Sequence, residues 1–279
     1  MNLLKFYKVD IWIRNLGIPF IGILSLEIFP NPLYVAIILL QLAFLQAFSF
    51  AINDYFDSKI RKEKTYMSSL FKIYSSYIVL FFCIVPLILL IITFFIFHGN
   101  LVFLLLYIII YDILYEVPPF RLKKSSFFSL ISSPISLVLL LYLYAYLSFT
   151  STFSIRAIAF LIIFFFYMAF HEMIHQIAHS KREKVLPKVL GMKGGIKIAQ
   201  VLLSIPILVS IFAILLGPAR NYIFVITLGF SILRIYKLCK IKLSPEEFEK
   251  IKISWHKFYS VHEGIIYVIF LALAHFGIF

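Results

Sequence analysis

Two polar motifs interrupt an otherwise apolar chain, and their residue types suit the chemistry of a diphosphate. The first, Asn53-Asp54-Tyr55-Phe56-Asp57, sets two carboxylates three residues apart, which puts both on one face if the preceding apolar run continues as a helix. Oxygen ligands of this kind hold a hard divalent cation such as Mg2+. In the second, Tyr115-Glu116-Val117-Pro118-Pro119-Phe120-Arg121-Leu122-Lys123, the proline pair stops a helix and projects Arg121 and Lys123 from a stiff backbone. A guanidinium grips phosphate oxygens in a fork and an ammonium acts as a point charge. Carboxylates for a cation, facing bases for phosphate, together describe a site for a lipid diphosphate. Each motif also has a plainer reading alone, Asp54 as the cap of a solvated helix end and Arg121 with Lys123 as basic anchors after a span.

The elements that must position these groups are transmembrane helices. Hydrophobic residues make up 62% of the 279 residues and charged ones 14%, outside the range of soluble domains. Apolar runs of near-spanning length occur at 11–29, 33–52, 72–97, 101–115, 129–149, 155–175, 196–216, 221–237 and 260–278, which predicts an all-α polytopic membrane protein with about nine transmembrane helices. Residues 1–279 read as a single integral-membrane domain. Of the 26 Lys and Arg residues, all but Arg156 and Arg220 fall on one side of that arrangement. Cytosolic loops accumulate such residues, so a cytosolic amino terminus and an extracytoplasmic carboxyl terminus are expected. The net charge of +13 then reflects topology and attraction to membrane lipids, and nucleic-acid binding is not expected. The first run has no small-residue cleavage site after it and reads as a retained span. Cys83 and Cys239 match no metal or redox spacing and read as packing residues. Within 238–258, Ser244-Pro245-Glu246-Glu247 has the form of a capping box with proline at the first helical position, which predicts a short surface helix.

Further ionisable residues compete for attention. Glu172, His175 and His179 share one helical stripe that Glu183 extends. His171-Glu172-Met173-Ile174-His175 also matches the zinc-protease pattern H-E-x-x-H, in which two imidazoles hold the metal and the glutamate activates water. That reading leaves the aspartate and proline motifs unexplained and offers no third ligand. Histidines hydrogen-bonded at a wet helix end would produce the same pattern. Arg14 and Asn15 lie about one turn inside the first run, and Asp112 lies near the basic end of the fourth, where ionisable groups face a cavity or a partner. Arg14 could equally snorkel to headgroups. His262-Glu263 could pair with loop residues. The 32 phenylalanines and 17 tyrosines could wall a carbocation, although most must face lipid or neighbouring helices.

Taken together, Asn-Asp-x-x-Asp after the second run, Tyr-x-x-Pro-Pro-x-Arg-Leu-Lys after the fourth, and Leu186-Pro187-Lys188-Val189-Leu190-Gly191 before the seventh resemble the UbiA superfamily of intramembrane prenyltransferases. The proline-proline loop is most similar to the branch with chlorophyll synthase and homogentisate prenyltransferases. The resemblance implies a UbiA-like helical bundle with a cytosol-facing cavity. It implies Mg2+ on Asp54 and Asp57, and catalytic roles for Asp54, Asp57, His179 and Glu183. It implies a prenyl diphosphate bound by Asn53, Arg61, Tyr115, Arg121, Lys123, Arg14 and His175, with the prenyl group passing to a hydrophobic, aromatic or lipid acceptor. Two positions depart from the family pattern. Arg61 stands where a third aspartate is usual, and His179-x-x-x-Glu183 stands where the second motif usually reads Asp-x-x-x-Asp. These departures keep open a non-catalytic prenyl-lipid binding protein, and an acceptor double bond within the prenyl chain itself would make the protein a UbiA-type terpene cyclase. A reporter fused after Phe279 is expected to be extracytoplasmic and one placed within 238–258 cytosolic; finding both on one side would contradict the nine-span arrangement.

Overall fold

The computed structural model describes residues 1–60, 65–117, 120, 122, 125–178, 186–216, 223–241, 244–255 and 260–275. Among them there is no strand, and each of the nine apolar runs is wholly or largely helical. The helices are α1 (Leu3–Phe6), α2 (Val9–Trp12), α3 (Gly17–Leu24), α4 (Pro32–Ile60), α5 (Tyr66–Leu70), α6 (Ser76–Ile96), α7 (Leu101–Tyr107), α8 (Ser126–Pro134), α9 (Leu141–Leu147), α10 (Ile155–Ala178), α11 (Leu186–Leu216), α12 (Ile223–Lys240), α13 (Pro245–Ser254) and α14 (Ser260–His275). A 3-10 turn, Ile13–Leu16, joins α2 to α3, and π-helical segments Ile108–Glu116 and Ile135–Leu140 continue α7 and join α8 to α9. Five helical stretches are long and apolar enough to cross a membrane, namely Pro32–Lys59, Ser76–Ile96, Phe127–Leu147, Ile155–Ala178 and Leu190–Leu216, while Leu101–Tyr115 and Ser260–His275 are apolar but shorter. By length and apolar character these stretches mark an integral membrane protein. Ile88, Ile91, Ile92 and Phe95 on α6, and Val201, Leu208 and Phe212 on α11, are exposed, as lipid-facing side chains would be.

Packing around the bundle is set by close approaches and buried polar bonds. A Cβ at Gly22 would stand 3.2 Å from the Tyr142 ring, so glycine there lets α3 lie close to α9. The Tyr142 hydroxyl then donates to the Ala157 carbonyl at 3.0 Å and lies 3.0 Å from Ser25 Oγ, tying α3, α9 and α10. Gly191 adopts φ 73 and ψ 159, a conformation that side chains exclude, and bends α11 within the Leu-Pro-x-x-Leu-Gly segment. The surface helix expected after residue 244 is α13; the Ser244 hydroxyl accepts from the Glu247 N–H at 3.2 Å. It docks on α10 through buried Phe248 and Trp255, the latter 5.2 Å from Phe170 between ring centroids. Cys83 is buried, as a packing residue should be, but Cys239 is exposed and corrects that expectation.

Glu263 pairs not with a loop but with Arg234 of α12, Nη2 to Oε2, at 2.7 Å. Both side chains are almost fully buried. The Arg234 guanidinium stacks 4.5 Å from the Tyr167 ring of α10, Tyr167 bonds Ser231 at 2.6 Å, and Tyr267 donates to Glu263. Two charges removed from water tie α10, α12 and α14 together, because neither can be left without the other. Arg234→Met or Glu263→Gln alone is expected to cost about 3–5 kcal/mol, and the double replacement Arg234→Met/Glu263→Met less than either. Thermal unfolding in detergent measures this, and a double variant less stable than both singles would contradict it.

Candidate functional site

The second apolar run continues as one helix through the aspartate motif, because no proline or glycine interrupts it before Ile60. Both carboxylates are consequently carried on α4, and both are buried, Asp54 at 4% and Asp57 at 7% exposure. Gln46, Asn53 and Asp57 follow one another at intervals of seven and four residues, which places them along one stripe of the helix. Asp54 sits on the flank of that stripe, where the Lys8 ammonium meets its Oδ1 at 2.5 Å. A buried carboxylate already holding a cation fits a site for a hard divalent ion, for which Asp54 and Asp57 supply the oxygen ligands.

Deeper in the bundle, the same stripe is bonded to its neighbours. Asn15 Nδ2 donates to Gln46 Oε1 at 3.0 Å, and Gln46 Nε2 donates to the Tyr107 hydroxyl at 2.6 Å. From Tyr107 a ladder of rings climbs the π-helical segment, with centroids 5.3 Å apart between Tyr107 and Tyr111 and 5.4 Å between Tyr111 and Tyr115. The Tyr115 hydroxyl lies 3.2 Å from Ser129 Oγ on α8, which donates to Glu172 Oε1 on α10 at 2.5 Å, and Gln176 Nε2 reaches the same oxygen at 3.4 Å. A polar and aromatic wall thus links the 3-10 turn, α4, the π-helical segment, α8 and α10. Wider helical turns of this kind recur at functional sites. Asp112, on that segment, is buried.

Asn53, Asp54 and Asp57 lie on α4, and Tyr115 lies on the π-helical segment, where it meets Tyr111 and Ser129. Arg14 is exposed on the 3-10 turn, while its neighbour Asn15 takes the inward place. His175 is exposed on α10. Arg61, Arg121, Lys123, His179 and Glu183 lie outside the described residues. Val117, before the proline pair, is extended at φ −90 and ψ 136, the conformation a following proline imposes. The zinc-protease pattern is divided between neighbours. The His171 Nε2 lies 3.1 Å from Ser260 Oγ on α14, whereas Glu172 is bonded to Ser129 on α8. Among the described residues no three His, Cys, Asp or Glu side chains converge for a metal.

Lys8, Gln46 and Ser129 escape sequence-based expectation. For Gln46 a signal existed, a polar side chain in the middle of an apolar run. Ser129 had only the weaker signal of a small polar residue. Lys8 had none, since its partner is 46 residues away and only the fold brings them together.

The family's sequence pattern provides the deciding comparison, matching residues 18–261 to the UbiA prenyltransferase family. The chain belongs to that family. No curated protein matches the sequence. Among solved structures, a UbiA homolog from Archaeoglobus fulgidus bound to GPP and Mg2+ is similar at a TM-score of 0.72 and 20% identity, covering 97% of this chain and 96% of that one. The same homolog bound to DMAPP and Mg2+ gives a TM-score of 0.68 at 18% identity, over 96% and 99%. A structure described as giving insight into digeranylgeranylglyceryl phosphate synthase in membranes gives 0.72 at 16% identity, over 96% and 97%. These likenesses establish that the UbiA fold runs the whole length of the chain.

Proposed function

We propose that the protein transfers a prenyl group from an allylic prenyl diphosphate to a hydrophobic acceptor within the membrane. The observation that carries this reading is the pair Asp54 and Asp57, buried on one helix of a UbiA-family chain, with Asp54 already engaging the Lys8 ammonium. Solved relatives of the same fold hold GPP or DMAPP together with Mg2+, which supports the same ligand class here. The diphosphate head lies at the basic end of the bundle, which the positive-inside rule places in the cytosol along with the amino terminus. Asp54 and Asp57 are the residues that hold Mg2+, and the bound ion supplies neutralisation of the leaving diphosphate.

The chain's own groups do the remaining work. Arg61, Arg121 and Lys123 bind phosphate oxygens and stabilise the pyrophosphate that leaves with the electron pair of the broken C–O bond. Asn15 and Gln46 fix Tyr107, and Ser129 and Glu172 fix Tyr115, so the tyrosine ladder keeps its faces in place beside α4. Ring faces are favourable to an allylic cation. An acceptor π bond or hydroxyl oxygen then donates the electrons for the new bond to carbon, and the acceptor releases a proton.

The division of His171 and Glu172 between two partners favours this reading over a zinc protease. Incubation of the purified protein with prenyl diphosphates of several lengths is expected to release pyrophosphate only with Mg2+. Asp54→Ala and Asp57→Ala should each lower that release by about a hundredfold or more, as loss of groups that stabilise developing charge does. A folded variant of either kind with near-full release would remove these aspartates from the site. No release by the wild type with any length would favour a prenyl-lipid binding protein, and release without an external acceptor would favour a cyclase.

A further inference from the structure

Lys8 is delivered to Asp54 by a segment built for the purpose. Residues 2–8, ahead of the helical stretch that runs from Val9 into α3, pack against α4, α5 and α6. Asn2 N donates to the Tyr66 hydroxyl at 2.8 Å, the Tyr7 hydroxyl donates to the Phe82 carbonyl at 2.9 Å, and Trp12 Nε1 donates to the Tyr7 carbonyl at 2.6 Å. Phe6, 1% exposed, packs in one apolar cluster with Ala51, Tyr55 and Cys83. Lys8 itself holds φ 51 and ψ 42, the single positive φ among described non-glycine residues, in a region that a side chain enters at a cost. The pinned segment and the unfavourable backbone are maintained where the ammonium meets a carboxylate that is 5% exposed. With the Lys8 side chain 29% exposed and the carboxylate buried, the pair is screened less than one exposed on both sides.

We propose that Lys8 is a resident cation of the diphosphate site, which occupies Asp54 until a metal–diphosphate complex arrives, so that the site takes up divalent metal with the diphosphate and excludes metal alone. The inference rests on the reading of Asp54 and Asp57 given under Proposed function. A free dication competing for Asp54 must displace the ammonium or sit beside it, and both are unfavourable at a buried carboxylate where, among the described residues, no three acidic, His or Cys side chains converge. The sequence sharpens this shortage, since Arg61 stands where a further aspartate is usual in the family. When a diphosphate accompanies the metal, its oxygens give the Lys8 ammonium a new anionic partner. The repulsion between the two cations is then offset through the anion they share.

The test is a Mn2+ titration followed by electron paramagnetic resonance on the full-length protein in detergent, with and without a prenyl thiodiphosphate that does not ionise. Without the diphosphate, Lys8→Met is expected to bind Mn2+ about tenfold or more tightly than wild type, the scale of a lost charge-assisted contact. Lys8→Arg should remain close to wild type. Adding the thiodiphosphate should tighten Mn2+ binding strongly in wild type and much less in Lys8→Met. If Lys8→Met does not fold, Lys8→Gln gives the same readout with a polar head retained. Equal Mn2+ affinity in wild type and the Lys8 variants, with binding abolished in Asp54→Asn, would overturn the role of Lys8 and leave the metal site standing. Binding unaffected even by Asp54→Asn would overturn the site itself, and the role of Lys8 with it.

Discussion

Two carboxylates taken out of water at the end of an apolar helix require compensation, and much of the architecture around α4 provides it. A buried ion without a partner costs several kcal/mol, so Asp54 and Asp57 are tolerable only if cations are brought to them. One arrives from the amino-terminal segment as Lys8. In the sequence, the connections after α4 and after the π-helical segment carry further basic residues, Arg61, Arg121 and Lys123. On the proposed function, the same need for positive charge would make the site receptive to a divalent ion and a diphosphate. Binding and stability therefore draw on one electrostatic constraint. The Arg234–Glu263 pair shows the opposite solution, two opposite charges satisfied by each other with aromatic rings around them, which joins helices and leaves no demand for a ligand cation.

The tyrosine ladder links that charged end to the apolar interior. Its three rings are spaced by four residues each along one helix, so a single element spans from the Gln46 level up to Ser129 and Glu172. Bonds at both ends restrain the rings, and Tyr111 stacks on Tyr115.

Legibility in the sequence followed the range of the interactions. Helix continuity through Asn53 and Asp57 was readable because it depends only on local residue types, and so was α13 from its serine and proline. The family was readable from motifs whose spacing is local. Side-chain direction inside the first run was not, and the chain turns Asn15 inward where Arg14 was the expected ligand. A 3-10 turn at Ile13–Leu16 changes the angle between successive residues there. His171-Glu172-x-x-His175 satisfied a pattern of spacing, yet α8 and α14 pack on different sides of α10 and engage its members separately. Lys8 and Glu263 depend on partners 46 and 29 residues distant, which no local pattern contains.

The central claim is that Asp54 and Asp57 hold the cation that meets the diphosphate. Anomalous diffraction from crystals of the protein grown with Mn2+ and a prenyl thiodiphosphate tests it most directly. The account predicts a manganese peak within about 2.5 Å of carboxylate oxygens of Asp54 and Asp57, with diphosphate density on its other side. A peak at His171 and His175, or diphosphate density away from α4, would contradict it.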